Sequence, residues 1–306
     1  MPETVGAVLD PLDRPRIGLV LGAGGIRGCA HAGVIAVLRE AETPIDLVVG
    51  ASVGAMFGLA MAAGLPTEYL IRVAREATPL DLFRFYAGRL RFDRRNPISR
   101  MLLDAGGDKQ FGDLTLPFAV VATDMATGEP VVIDRGPVLP AVQASIALPL
   151  VARPVPLHGR FCVDGGLLDT APHQVAHQMG ADRSITVCLG FNYAAPRVLR
   201  RRPWAQTALE RIGRQRRPLR GRLGDQLRFS CRLCAAAFQP PIPAQDADLV
   251  IWPEFNGLNP NSIFGARFCY QQGLAATREA LPAIELMLRE PAPALLSCPG
   301  TPPEEA

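Results

Sequence analysis

Residues 47–67 read LVVGASVGAMFGLAMAAGLPT, a run of 21 residues without a charge. A run of this length can span a bilayer, and its glycines recur at the GxxxG spacing of packed membrane helices. The run nevertheless opens with the β-branched residues 48–49 and then reaches GASVG at residues 50–54. This order favours a buried strand over residues 46–49, followed by a sharp turn and a buried helix over residues 51–63.

The turn itself is the strongest local signal for chemistry. The segment Gly50-Ala51-Ser52-Val53-Gly54 matches G-x-S-x-G, which between a strand and a helix makes a strained turn that exposes the serine hydroxyl. Ser52 also precedes a helix N-terminus, where free N–H groups and the helix dipole favour a developing anion. We therefore predict that Ser52 is a nucleophile, and the alternative is an ordinary tight turn between apolar elements.

A second glycine-rich turn, GAGGIRG at residues 22–28, lies between a short apolar run, residues 16–21, and an amphipathic pattern, residues 29–40. Its backbone can direct N–H groups at the phosphates of a dinucleotide or at the oxyanion of an acyl transfer. A dinucleotide site needs a glycine at the position of Arg27. It also needs an acidic residue at the end of the next strand, where this chain has Gly50-Ala51-Ser52. The dinucleotide interpretation is therefore disfavoured.

A serine nucleophile needs a base, and an Asp-Gly-Gly turn follows a predicted strand over residues 161–163. Asp164 is the candidate base, although most Asp-Gly segments are simple turns and that alternative stays open. A conventional triad would place its histidine on a separate, later loop. The chain has four histidines, none placed in that way: His31, His158, His173 and His177.

Metal chemistry has weak support in the sequence. His173 and His177 have helical i, i+4 spacing but no third ligand nearby, and the C-x-x-C segment at residues 231–234 has no second pair. We predict no metal site and no cofactor.

Strand and helix patterns alternate along the chain, and the strands are continuously apolar. This alternation is typical of a parallel or mixed sheet covered by helices on both faces. Beyond those above, strands are predicted over residues 117–124, 131–134, 184–189 and 248–252, and helical segments over 66–110, 137–145, 172–179 and 265–281.

The landmarks of one sheet extend to about residue 253, which predicts one domain over residues 16–290. Residues 1–15 form a polar lead and residues 291–306 a proline-rich tail. Residues 197–232 form an arginine-rich insertion with 12 arginines and two acidic residues, a local net charge of +10 that leaves −7 for the remainder. Two interpretations stay open for the insertion: a solvated or disordered loop, or a basic surface for an anionic membrane.

Composition limits the remaining classes of function. A hydrophobic fraction of 48% excludes a disordered chain, and a net charge of +3 gives no reason to expect nucleic acid as a partner. Seven cysteines, an odd number, indicate reduced thiols, and the N-terminus has no signal-peptide pattern. These features predict a cytoplasmic protein, with peripheral membrane contact if the insertion binds lipid.

Three segments in this order and spacing resemble the signature blocks of the patatin-like phospholipases: GGIRG at residues 24–28, GASVG at 50–54 and DGG at 164–166. Weaker similarities are HAGV at 31–34, TDMATGE at 123–129, ASIALP at 144–149 and DTAP at 169–172. The resemblance covers about residues 16–190, with a weaker tie at 248–253. The family usually has glycine where this chain has Ala23, although alanine keeps its N–H donor.

The resemblance implies a three-layer α/β/α fold with a central, mostly parallel sheet. It also implies a Ser–Asp dyad in which Ser52 attacks an ester carbonyl and Asp164 accepts its proton without a histidine. The N–H groups of Gly24, Gly25 and Val53 would hold the oxyanion. The implied substrate is a phospholipid or lysophospholipid. The remaining motif positions would support the site structurally: Gly22, Arg27, Gly28, Gly50, Gly54, Gly165 and Gly166.

Three functions remain open from the sequence. The first is a lipid acyl hydrolase of phospholipase A or lysophospholipase type. The second is a membrane-associated module with an idle dyad, and the third is a Ser-His-Asp esterase of soluble esters. Two roles are open for Arg27: it fixes residues 22–28, called the glycine loop below, or it contacts a lipid phosphate.

Overall fold

A computed structural model of the chain describes residues 14–78, 80–81, 84–85, 93–149, 152–189, 247–255 and 265–290. The arginine-rich insertion, the C-x-x-C segment, the proline-rich tail and all but the last two residues of the lead lie outside these ranges. The interpretations given for those four segments therefore stay predictions.

The described residues form one sheet of eight strands, which are hydrogen-bonded along the path β5-β6-β3-β2-β1-β7-β8, with β4 also paired to β3. Five neighbouring strands run parallel, β3-β2-β1-β7-β8, whereas the pairs β3–β4, β3–β6 and β5–β6 are antiparallel. The strands are β1 Ile17–Leu21, β2 Leu47–Ala51, β3 Phe118–Asp124, β4 Pro130–Ile133, β5 Val155–Leu157, β6 Arg160–Asp164, β7 Arg183–Val187 and β8 Leu249–Ile251.

Helices cover both faces of this sheet. Alternate strand residues such as Leu19 and Val48 share one large core with most of the helices, whereas Val20 and Val49 pack on the other face against helix α6. This arrangement confirms the predicted three-layer α/β/α fold. The helices are α1 Cys29–Glu40, α2 Val53–Ala62, α3 Thr67–Glu76, α4 Pro97–Ala105, α5 Val138–Ser145, α6 His173–Gln178 and α7 Gly265–Arg289.

The pairing of β3 explains how the candidate site is assembled. The registers of β4 and β6 overlap on β3, and so do the registers of β4 and β2. Since a strand has only two edges, β2 and β6 must share the edge opposite β4. Ala51 of β2 pairs with Val121, and Asp164 of β6 pairs with the next residue, Ala122. Strands β2 and β6 therefore meet at their carboxyl ends, where Ser52 follows Ala51.

The uncharged run at residues 47–67 is a strand and a helix, as predicted, and not a membrane span. No helix among the described residues is long and apolar enough to cross a bilayer. Helix α2 begins at Val53, two residues later than expected, because Ser52 takes a backbone conformation that a helix does not contain.

Three predictions about elements were wrong. Residues 66–110 were expected to be helical, yet the described part of this range includes two separate helices, α3 and α4, and residues 106–110 are not helical. The last helix was expected to stop at residue 281, before Pro282, yet α7 continues to Arg289 with the proline inside it. Proline removes one intrahelical hydrogen bond, and burial of Ile284 and Met287 beyond it favours continuation. Strand β5 was not predicted, because it has three residues, none of them fully buried, and Pro156 at its centre.

Candidate active site

The backbone of Ser52 is strained in the manner that its motif predicts. Its φ of 54° and ψ of −124° lie outside the regions that L-residues favour, which typically costs about 1–3 kcal/mol. Neighbouring backbone leaves no room for side chains beside it, since a Cβ on Gly54 would collide with the carbonyl oxygen of Leu21 and one on Gly50 would lie 2.5 Å from Ala55 Cα. Tight packing therefore holds the turn in this conformation.

Ser145, at the end of helix α5, fixes this turn to the sheet. Its hydroxyl oxygen accepts the Ser52 N–H at 2.8 Å and its O–H donates to the carbonyl oxygen of Val121 at 2.6 Å. Ser145 is fully buried. In the sequence, Ser145 belongs only to the weak similarity at residues 144–149. Nothing in its spacing indicated that it would hydrogen-bond to the backbone of Ser52.

The Ser52 and Asp164 side chains are in direct contact. Ser52 Oγ donates a hydrogen bond to Asp164 Oδ2 at 2.7 Å, and the N–H of Gly166 donates to Asp164 Oδ1 at 2.8 Å. The backbone of Asp164 is held on both sides, by the carbonyl oxygen of Ala147 and by the hydroxyl of Thr123. The carboxylate therefore has a fixed position against the serine hydroxyl.

Burial changes the proton affinity of this carboxyl group. Asp164 is 2% exposed, and removal from water raises its pKa to about 7, although the hydrogen bonds from Ser52 and Gly166 act in the opposite direction. A carboxyl group with a pKa near neutrality can accept and return a proton at physiological pH.

The glycine loop leaves backbone donors unused beside the serine. Within the described ranges, no acceptor is paired with the N–H groups of Gly24, Gly25 or Val53. Gly25 has a φ of +55°, a region that glycine enters at low cost, and it begins a 3-10 helix over Gly25–Gly28. Unpaired N–H groups at this position are suitable donors for a developing oxyanion.

The remaining predicted motif glycines all lie at places where chain segments touch. A Cβ on Gly22 would lie 2.6 Å from the carbonyl oxygen of Thr170, and a Cβ on Gly28 would collide with Val53. A Cβ on Gly165 would collide with the carbonyl oxygen of Val121, and a Cβ on Gly166 would collide with the Cβ of Ala23. These glycines thus let the glycine loop, the serine turn and the Asp164 turn pack together.

Arg27 makes contacts that favour a role in fixing the loop. A guanidinium nitrogen lies 3.4 Å from the carbonyl oxygen of Leu189, which is a long hydrogen bond, and its carbon lies 5.2 Å from the centre of the Phe255 ring. Both contacts connect the loop to segments at the carboxyl ends of β7 and β8.

None of the four histidines is hydrogen-bonded to Ser52. His31 is fully buried, its Nε2 lies 2.8 Å from the carbonyl oxygen of Gly22, and burial lowers its pKa to about 4. It therefore stays neutral and holds the glycine loop. The others lie elsewhere, His158 in the β5–β6 turn and His173 and His177 on α6 next to backbone carbonyls.

An apolar pocket that includes Met56, Phe57 and Met101 in its lining lies next to the candidate oxyanion donors Gly25 and Val53. It extends between the helices that cover this face of the sheet. No group of three His, Cys, Asp or Glu side chains in the described parts of the chain is arranged to hold a metal ion.

Comparison with known sequences identifies the family that this site belongs to. The sequence profile described as "Patatin-like phospholipase" matches residues 19–177, just over half of the chain. The chain belongs to this family. The matched region contains all three signature blocks and the Ser52–Asp164 contact.

Several known proteins resemble the chain over more than half of its length. An uncharacterised NTE family protein of Mycobacterium tuberculosis is 38% identical over 202 residues, which are 64% of this chain and 55% of that protein. The human patatin-like phospholipase domain-containing protein 6 is 34% identical over 185 residues, 57% of this chain and 13% of that protein. The chain thus corresponds to about half of the mycobacterial relative and to a small part of the human one.

A solved structure agrees at the level of fold. VipD from Legionella pneumophila aligns with 89% of this chain and 67% of its own, with a TM-score of 0.50 and 14% sequence identity. At this identity the likeness supports the patatin fold alone.

Proposed function

We propose that this member of the patatin-like phospholipase family is a serine lipid acyl hydrolase. It would cleave carboxylic esters of phospholipids or lysophospholipids through a Ser52–Asp164 dyad and an acyl-enzyme. The observation that carries the proposal is the 2.7 Å hydrogen bond from Ser52 Oγ to the buried Asp164 carboxylate.

The chemistry follows from the groups at the site. Ser52 Oγ attacks the ester carbonyl carbon while its proton passes to Asp164 Oδ2, which forms a tetrahedral oxyanion. The N–H groups of Gly24, Gly25 and Val53 stabilise that oxyanion, and one such donor is typically worth about 2.7–4 kcal/mol in the transition state. Asp164 then returns the proton to the departing alcohol oxygen, which leaves Ser52 acylated.

A water molecule completes the cycle. Asp164 takes a proton from the water as its oxygen attacks the acyl carbonyl, and the same oxyanion donors act again. Collapse of this second intermediate releases the fatty acid and returns the proton to Ser52 Oγ. No group outside the chain is needed, because the dyad supplies both nucleophile and base.

The proposal is tested by replacing each member of the dyad. Ser52→Ala and Asp164→Asn should each lose hydrolysis of lysophosphatidylcholine and of p-nitrophenyl esters, and Ser52→Ala should also lose labelling by a fluorophosphonate probe. The expected loss in kcat is on the order of 10⁴-fold or more, since removing a protease nucleophile costs about 10⁶-fold.

A matched control is available in the same chain. Ser99 is also a buried serine, 1% exposed, and its hydroxyl has no hydrogen-bond partner among the described residues. Ser99→Ala should keep full activity and labelling. Activity of the pure Ser52→Ala protein at the wild-type rate would overturn the nucleophile assignment. A wild-type protein that is not labelled and hydrolyses no ester would instead support the alternative of a catalytically idle module.

A further inference from the structure

The segment that carries the candidate base also touches the glycine loop. The N–H of Ala23 donates to the carbonyl oxygen of Thr170 at 2.8 Å. A Cβ on the preceding residue, Gly22, would lie 2.6 Å from the same oxygen, so the two segments pack directly against each other. Ala23 therefore has its N–H engaged, whereas the next two N–H groups of the loop, those of Gly24 and Gly25, have no acceptor within the described ranges.

Asp169 sets the position of that carbonyl group. Its Oδ1 accepts the N–H of Ala171 at 3.0 Å, which closes an Asx turn around Thr170. The N–H of Asp169 donates to the carbonyl oxygen of Gly165 at 3.3 Å, which connects this turn to the segment that holds Asp164. The Asx turn therefore links the candidate base to the glycine loop.

The hydrogen bond of Ala23 lies directly before the unpaired donors of the loop. Two other hydrogen bonds hold the start of the loop at Gly22, whose N–H donates to the carbonyl oxygen of Val187 at 3.1 Å and whose carbonyl oxygen lies 2.8 Å from His31 Nε2. The unpaired donors begin two residues later, at Gly24. A displacement of the Asx turn would therefore move Ala23 and change the direction of the donors that follow it.

We propose that Asp169 is a positioning residue for the oxyanion donors of Gly24 and Gly25, which it directs through its Asx turn and the carbonyl group of Thr170. The proposal rests on the proposed function, because it gives these N–H groups the task of binding the oxyanion. The Asp169 carboxyl group acts only as a hydrogen-bond acceptor and takes no part in proton transfer. Displacing a catalytic donor by about 1 Å can cost on the order of 100-fold in rate.

Two substitutions of Asp169 test this role. Asp169→Ala removes the acceptor of the Ala171 N–H, and kcat for p-nitrophenyl butyrate should fall about 10- to 100-fold with little change in KM, because the donors act mainly in the transition state. Asp169→Asn keeps an oxygen that can close the Asx turn and should restore kcat to within about twofold of wild type. Burial raises the pKa of Asp169, so this site disfavours a charge and can accept an uncharged amide.

A matched control lies at the other end of strand β1. A carboxylate oxygen of Asp182 accepts the N–H of Arg16 at 2.8 Å, one residue before the strand begins. Asp182→Ala therefore removes the same kind of hydrogen bond far from the glycine loop. It should lower the melting temperature much as Asp169→Ala does and leave kcat unchanged. Equal losses of kcat in the two variants would show a general effect on stability and would overturn the positioning role.

Hydrogen–deuterium exchange separates this proposal from the proposed function. In the Ser52→Ala protein, where no catalysis is needed, the peptide that contains residues 22–28 should exchange faster when Asp169→Ala is added and return to its original rate with Asp169→Asn. Unchanged exchange in a folded Asp169→Ala protein would overturn the proposal even if the wild-type protein hydrolyses esters. Faster exchange together with an inactive wild-type protein would refute the proposed function but not the hold of Asp169 on the loop.

Discussion

At the scale of the residue, the buried carboxyl group of Asp164 has a testable consequence for pH dependence. Its pKa of about 7 means that the carboxyl group is half ionised near neutral pH and mostly ionised above it. We expect log kcat/KM to rise with unit slope below about pH 7 and to level off above it, because the proton from Ser52 needs an ionised acceptor. The measurement is a profile from pH 5 to 9 on a short-chain ester.

A histidine base would give a similar midpoint, so the profile needs controls. His158→Gln and His177→Gln should keep the inflection, since neither residue contacts the dyad. Burial raises the folded-state pKa of Asp164, so ionising it costs stability as pH rises through 7. Asp164→Asn should therefore be inactive yet no less stable than wild type at pH 8. A flat profile across this range would contradict the assignment of Asp164 as the base.

The sequence predicted which residues meet at the site better than it predicted their surroundings. G-x-S-x-G and the Asp-Gly-Gly turn pointed to Ser52 and Asp164, and the structure places the two side chains in contact. Their catalytic roles stay predictions. The hydrogen bonds of Ser145 and of His31 were not predictable, because each joins groups far apart in the chain or depends on which way a buried side chain turns.

At the scale of the element, the contact of helix α5 with the serine turn predicts a positioning role for Ser145. Ser145→Ala removes the acceptor of the Ser52 N–H and the donor to Val121. A displacement of about 1 Å can cost on the order of 100-fold in rate, so we expect kcat to fall about 10- to 100-fold with little change in KM. The measurement is steady-state kinetics together with the rate of fluorophosphonate labelling.

Rescue separates positioning from stability in this test. Losing a buried hydrogen bond typically costs about 1–3 kcal/mol of folding free energy, so Ser145→Ala should also melt at a lower temperature. Ser145→Thr keeps the hydroxyl and should recover the labelling rate, even if its extra methyl group lowers the melting temperature. A Ser145→Ala protein that labels as fast as wild type would exclude the positioning role.

The elements themselves were predictable where periodicity was strong. Helix α1 has the predicted bounds, and strand β1 begins one residue later than predicted. Predictions failed where local contacts overrode a general sequence rule or where the sequence pattern was too short to interpret. Proline usually ends a helix, but α7 keeps apolar contacts beyond Pro282, and β5 is too short and too exposed for its pattern to be distinguished from a loop.

At the scale of the whole molecule, the sheet order could not be read from the sequence. Alternation of strands and helices predicts a parallel sheet, but it does not state that β2 and β6 approach each other along one edge of β3. That meeting of carboxyl ends brings together two residues 112 positions apart. The pairing depends on the whole set of strand contacts, and local patterns carry no information about it.

The distribution of charge over the whole chain leads to the last prediction. Residues 197–232, which lie outside the described residues, have a net charge of +10, while the remainder has −7. Trp204, Phe229 and several aliphatic residues lie among the arginines, a composition typical of interfacial anchors. Each arginine near an anionic surface contributes on the order of 1 kcal/mol, and salt weakens this attraction.

We therefore expect the protein to co-sediment with vesicles that contain an anionic lipid and to bind less at high salt. Six replacements by glutamine should reduce this binding at least tenfold: Arg200, Arg201, Arg202, Arg214, Arg216 and Arg217. A control with the same change in charge replaces six exposed arginines elsewhere, and should bind as wild type does: Arg75, Arg84, Arg95, Arg153, Arg267 and Arg289. Equal binding to neutral and anionic vesicles, or equal losses in both variants, would show that the segment is not a basic anchor, and residues 197–232 would then be a solvated loop.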